Sequence, residues 1–212
     1  EFVRTKVAPE VDAYILSKLA NIASDAGHTV SEKEGGVAEN CVAMLSEAVN
    51  AVYEKADFDE ELVAFVNPTF YAALMSTPEL ERRIDISDFK KGEIDTKVKR
   101  IDGTAIIPVP AARMKTAYSF YDGTSEGQTE GGFATADGAS EIGFIVLPKS
   151  AAKLVKKTEK IRTFSPDQNP DMDAYKFDYR LYYDVFVNKS GLDAIWAWVS
   201  PEVEILAQPS DV

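Results

Sequence analysis

Tyr175-Lys176-Phe177-Asp178-Tyr179-Arg180-Leu181-Tyr182-Tyr183-Asp184-Val185-Phe186-Val187 is the stretch on which the fold turns. Apolar or aromatic side chains stand at every odd position, and Lys176, Asp178, Arg180 and Asp184 stand between them. Successive side chains of a strand point to opposite faces, so the spacing predicts one long strand with a packed face and a charged face. The other long periodic element lies at the far end of the chain. Between Phe2 and Ala26, Val11, Ile15, Leu19 and Ile22 form one helical stripe, with Leu16, Ala20 and Ala23 beside it. Pro9 sits inside that pattern, as a first-turn residue or a kink, and Gly27 is the expected stop.

Between these elements the sequence predicts a second helix from Val37 to Lys55, burying Cys41, Leu45, Ala48 and Val52. A short strand follows over Leu62 to Val66, and Asn67-Pro68 marks the start of a helix over Pro68 to Met75. Thr77-Pro78 repeats the signal for a helix over Glu79 to Arg83. Glu93 to Ile101 and Thr104 to Val109 flank Asp102-Gly103, the residue pair of a tight hairpin turn, and Pro108 and Pro110 end the second arm at an edge or outside the sheet. Gly123, Gly127, Gly131, Gly132 and Gly138 mark an exposed, mobile loop. Gly143 to Leu147 reads as a buried strand, Lys149 to Lys156 as a short basic helix and Lys157 to Phe164 as extended chain. The polar stretch Ser165 to Met172 interrupts the pattern, and Ala194 to Val199 is the last strand.

The 212 residues are 45% hydrophobic and carry 23 Lys and Arg against 35 Asp and Glu, a net charge of -12. A chain of this size buries enough surface to fold without a disulfide or metal. Its charge repels phosphate backbones and argues against general nucleic-acid binding. The single cysteine, Cys41, cannot form an intrachain disulfide, so an intracellular folding site is the simpler expectation. No apolar run is long enough for a membrane span. The chain opens at Glu1 with neither methionine nor a signal-peptide pattern, and reads as a fragment that begins upstream.

The chemical motifs are weak. Gly123-Thr124-Ser125-Glu126-Gly127 has the form of a hydrolase nucleophile elbow, but no helix start follows it and the only histidine, His28, precedes the serine. Asp167, Asn169, Asp171 and Asp173 resemble half of a calcium loop, but Met172 replaces the turn glycine and Pro170 stiffens the chain. Asp57, Asp59, Glu60 and Glu61 read as an exposed turn, and His28 as a capping or surface residue. Lys149, Lys153, Lys156, Lys157, Lys160 and Arg162 read as a solvated basic face. Asn188-Lys189-Ser190 fits a glycosylation acceptor without any sign of secretion. No phosphate-binding glycine loop occurs, and one His with one Cys makes no zinc site without carboxylates. No catalytic, cofactor-binding or metal residue is therefore assigned. The chain reads as a structural protein built for its surfaces, not an enzyme.

Three segments taken in order carry a family resemblance: Glu1-Phe2-Val3-Arg4-Thr5-Lys6-Val7-Ala8-Pro9-Glu10-Val11-Asp12-Ala13-Tyr14, then Phe65-Val66-Asn67-Pro68-Thr69-Phe70-Tyr71, then Ile101-Asp102-Gly103-Thr104-Ala105-Ile106-Ile107-Pro108-Val109-Pro110 through Arg113-Met114. Together with Ile142 to Leu147 and with Asp184 to Ile195, this order resembles the major capsid proteins of tailed bacteriophages, which have the Hong Kong 97-type fold. The resemblance implies an α+β chain in which residues 1–34 and 166–212 form a peripheral domain around a spine helix and a long strand. Residues 35–165 would form an inserted axial domain, and the family's N-terminal arm and extended loop would be missing. It further implies a homo-oligomeric viral structural protein that self-assembles through hexamers and pentamers into the icosahedral shell of a virion. The expected partners are copies of itself, scaffold and portal proteins, and packaged double-stranded DNA held only by weak non-specific contacts. No membrane is expected, and assembly would take place in the bacterial host cytoplasm, also from a prophage. An encapsulin-like compartment shell is the close alternative. From other classes, an acidic metal-dependent enzyme using Asp167 to Asp173, or a monomeric partner-binding module using the Gly123 to Gly138 loop, stays open.

Overall fold

A computed structural model describes residues 1–55, 60–78, 84–91, 94–101 and 103–200, with side chains left out of the description over 84–99. It is a mixed α+β chain. The predicted helix over Glu79 to Arg83, Asp102 of the hairpin turn, and Asp57 and Asp59 lie outside the described residues.

The N-terminal pattern is one continuous rod. A π-helical turn, Val3–Val7, runs directly into α1, Ala8–Asp25, so the rod continues through Pro9: the Ala8 N–H donates to the Val3 carbonyl, and Pro9, which has no N–H to give, sits where the wider turn meets the α-helix. The buried face is centred on Ala13, Leu16, Leu19, Ala20 and Ala23, rotated from the predicted stripe, because small alanines allow the closest approach to the sheet. Gly27, at φ +74°, ends the helix. The His28 N–H donates to the Ala23 carbonyl at 2.8 Å and the Gly27 N–H to Ser24 at 3.0 Å, the paired bonds of a Schellman cap. Helix α2, Gly36–Tyr53, buries Cys41, Leu45, Ala48 and Val52 as the sequence predicts. Strand β1, Leu62–Val66, leads to α3, Pro68–Ser76, where the Asn67 side chain accepts from the Phe70 N–H at 2.7 Å.

Strands β2, Ile84–Lys91, β3, Ile94–Ile101, and β4, Thr104–Pro108, come next. The predicted hairpin forms between β3 and β4, with Lys99 opposite Ile106 and Gly103 at φ +83°. Sequence reasoning missed β2, which pairs with β3 along its whole length. Strand β4 is not at an edge. It lies inside the sheet, parallel to β1, and its chain leaves after Pro108, where the Val109 N–H still donates to Val66 at 2.8 Å.

A small hairpin, β5, Tyr118–Phe120, with β6, Phe133–Thr135, closes the base of the glycine-rich loop, which is exposed as expected. Strand β7, Ile142–Pro148, is buried at every residue. The predicted basic helix over Lys149 to Lys156 does not exist. Those residues enter β8, Ala152–Phe164, which pairs antiparallel with β9, Lys176–Val187. Hydrogen bonding to a long partner strand has overridden the helix preference of a lysine-rich segment. Helix α4, Lys189–Leu192, and β10, Trp196–Val199, complete the described chain.

Among the described residues the strands form three sheets: a six-stranded one in the order β10-β7-β1-β4-β3-β2, the β5-β6 hairpin, and the β8-β9 ribbon. Strands β10, β7, β1 and β4 of the main sheet are covered on both faces. Ala64, Val66, Ile106, Phe144, Val146 and Trp198 point towards α2 and α3, whereas Phe65, Ile107, Ile145, Leu147 and Ala197 point towards α1. Residues leaving α1 are stitched to the sheet edge, because the Val30 N–H donates to Ala197 at 3.0 Å and the Ala197 N–H to His28 at 3.1 Å.

Candidate interaction surface

The base of the β8-β9 ribbon belongs to the α1 side of the core. Val185 is 4% exposed and clusters with Leu16, Leu19, Ala20 and Leu147. Further along, the Tyr14 ring meets Tyr183 edge-on at 5.5 Å, and Phe2 meets Tyr179 at 6.2 Å. The Tyr14 hydroxyl and the Lys18 ammonium both donate to Asp184 Oδ1, at 3.0 and 2.5 Å. Helix and ribbon therefore form one rigid unit at this end.

Past that contact the expected packed face is not packed. Phe177 is 72% exposed and Ile161 66%, although both lie on the face that Tyr179 and Tyr183 turn to the helix. The opposite face exposes Tyr182 and Phe186 at 60% each, with Val155 and the charges Lys153, Lys160, Arg162, Lys176 and Arg180. The adjacent tyrosines Tyr182 and Tyr183 were the signal in the sequence, since neighbours on a strand must serve opposite faces. A two-stranded ribbon with both faces in water cannot bury these side chains within its own chain.

Electrostatics along the ribbon are local. The Lys156 ammonium donates to Glu159 at 2.9 Å and the Tyr179 hydroxyl to the same carboxylate at 3.0 Å, which holds the Glu159 carboxyl below its ordinary range. Lys176 is raised by its hydrogen bond to Asp171 at 2.5 Å. At the tip, the Asn169 side chain donates to the Ala174 carbonyl at 2.8 Å and accepts from the Asp171 N–H at 3.2 Å. The tip residues Asn169 and Asp171 are thus occupied within their own loop. Among the described residues no group of three His, Cys, Asp or Glu converges as a metal site.

The serine motif is also absorbed locally. Asp122 accepts from the Thr124 N–H and the Ser125 N–H at 2.8 Å each and from the Ser125 hydroxyl at 2.7 Å, so its carboxyl is held far below the usual value. Gly127, at φ +78°, continues a turn and begins no helix. His28 is half-buried and stacks on Trp196 at 5.1 Å, so the two residues a hydrolase would pair have separate structural roles. Across a cleft of about 570 Å³, Phe2, Lys6 and Glu10 face Tyr121, Glu130 and Phe133, and burial raises the Glu10 carboxyl.

The acidic turn is more than an exposed bend. Glu61 receives Arg100 at 2.5 Å and Lys149 at 3.1 Å, and the Ser150 hydroxyl donates to Glu60. These bonds lower the Glu61 carboxyl, led by the Lys149 hydrogen bond, and tie β1 to β3 and to the entry of the ribbon. Among the described residues no helix is long and apolar enough to cross a membrane. The chain matches no protein-family model, and no curated protein matches it significantly.

Proposed function

We propose that this chain is the shell-building subunit of a closed particle, specifically a major capsid protein of the Hong Kong 97-type that encloses the double-stranded DNA of a tailed bacteriophage. The observation that carries the reading is the rod-and-ribbon unit. Helix α1 grips the base of β8-β9 through Tyr14, Lys18 and Asp184, while the rest of the ribbon presents Ile161, Phe177, Tyr182 and Phe186 to solvent. Such a shape is stable by itself at one end and needs neighbours at the other. The order of sequence motifs from Glu1 through Ile195 adds support, since it resembles the order in that family. Function then lies in repeated self-association, in which many modest contacts sum around symmetry axes.

The test is electron microscopy and mass measurement on the complete gene product. Rings or closed particles are the expected result, with DNA associated in infected or induced cells. A protein that stays monomeric at every concentration overturns the reading. Particles filled with a folded protein cargo would move it to the compartment-shell branch of the same architecture.

A further inference from the structure

We propose that the cationic face of the ribbon docks on the acidic side of α2 in a second copy of this chain, an inference that rests on the self-association reading above and names one of its contacts. Lys160 stands directly opposite Arg180 in the β8-β9 register. Like charges in that position are only about 5 Å apart at Cβ and destabilise a ribbon. Asp178, which stands opposite Arg162, reaches Arg180 at 3.4 Å, but Lys153 and Lys160 make no ion pair among the described residues. A face that keeps such a repulsion in the free chain, with Tyr182 and Phe186 exposed beside it, is shaped for an anionic and partly apolar partner.

The matching surface lies on the same molecule, out of its own reach. The ribbon base packs on the α1 side of the main sheet and α2 covers the other side, so contact requires another copy. Around α2, Glu32, Glu34, Glu39 and Glu54 are exposed and make no ion pair among the described residues, whereas Glu47 is taken by Lys33 at 2.9 Å. Glu39 and Glu54 are about 22 Å apart along a helix rising 1.5 Å per residue. Lys153, opposite Phe186, lies about 20 Å from the Lys160-Arg180 pair at 3.3 Å per strand residue. The spans agree. An apolar groove of about 110 Å³ lined by Val42, Val49, Tyr53 and Ile101 runs along the same helix and suits an aromatic ring such as Tyr182 or Phe186. Nucleic acid fits less well, because the net charge of -12 repels a polyanion while supplying the complement for a second copy. Since the two patches differ, the contact runs head to tail, and it builds a ring where its rotation closes and an open chain of subunits where it does not.

Sedimentation of the full chain tests this with K153E/K160E, with E39K/E54K, and with all four substitutions combined. Each pair is expected to weaken association about tenfold, and the combination to restore it with polarity exchanged. K160E alone places a carboxylate opposite Arg180, so its melting temperature should hold or rise, which separates lost docking from lost folding. Wild-type assembly left unchanged by K153E/K160E overturns the docking proposal and leaves self-association standing. A wild-type chain that never associates overturns both. Tight binding of a short DNA duplex at physiological salt, abolished by K153E/K160E, also overturns it and gives the face to nucleic acid.

Discussion

Lys18 of α1 donates to Asp184 of β9 across 2.5 Å, a bond that ties the ribbon to the helix. The Tyr14 hydroxyl reaches the same oxygen at 3.0 Å. Lys18 first, then the Val185 N–H and Tyr14, hold the Asp184 carboxyl below its usual 3.8, and Asp184 raises Lys18 above 10.5. A depressed carboxyl stabilises the fold above its unfolded value, and that contribution disappears as pH falls through the folded value. The raised lysine acts in the opposite sense: its contribution is complete below 10.5 and is lost as pH rises through the folded value. Asp184→Asn should therefore flatten both limbs of the pH profile. Hydrogen exchange of the β8-β9 amides measures this, and an unchanged profile would show that packing alone holds the ribbon to the helix. Both side chains are partly exposed, so high salt should weaken the effect.

Trp198 lies so close over Gly143 that a Cβ there would stand 1.8 Å from its ring. Gly143→Ala must move the indole out of its cluster with Phe70 and Phe144. Overpacking of this kind costs about 1–3 kcal/mol. The urea midpoint should fall accordingly, and Trp198→Leu in the Gly143→Ala background should cost less than the sum of the two single changes.

Asn67 is 2% exposed and does two things, capping α3 at the Phe70 N–H and donating to Glu141 at 3.2 Å. Asn67→Ala removes the cap, at about 1–2 kcal/mol. Asn67→Asp keeps a good cap but sets a carboxylate against Glu141, so it should destabilise at neutral pH and recover as the pH is lowered. Thermal melts of the two variants against pH distinguish capping from charge.

Tyr118 anchors the hairpin below the glycine-rich loop: its hydroxyl donates to the Ala112 carbonyl at 3.0 Å and accepts from the Lys115 N–H at 2.9 Å. Burial pushes its pKa from 10.0 up to about 12. Its stabilisation should be complete below 10.0 and be lost as pH rises through about 12. Burial also pushes Tyr183 up to about 12, so ultraviolet titration should show two late-ionising tyrosines, of which one is lost in Tyr118→Phe.

Much of the core was legible because its signals are local. The Asn67-Pro68 start, the Gly27 stop and the bounds of β1 each follow from a residue with one strong backbone preference. Lys157 to Phe164 reads as extended in sequence and is strand, but the first part of β8 was illegible for a physical reason. A bulge between Lys156 and Thr158 shifts the register, so the helix-side face takes Leu154 and Lys156 before it and Glu159 and Ile161 after it. Even positions become odd ones, and no single alternation survives. The exposure of Phe177 was hidden for another reason: periodicity reports which residues share a face, not whether anything covers it. Within the candidate surface, the basic residues were visible in sequence as a solvated face. Their confrontation at Lys160 and Arg180 depends on cross-strand register, which the sequence does not state.

The bridge between Thr29 and Ala197 also bears on how the molecule is made. A ribosome releases Thr29 early and Ala197 near the end of the described chain, so the edge that joins them stays open through most of synthesis. Hydrophobic residues of α1 must wait for β7 and β10 to emerge before they find their seat. Nascent chains stalled before Trp196 are therefore expected to hold α1 in a protease-sensitive state.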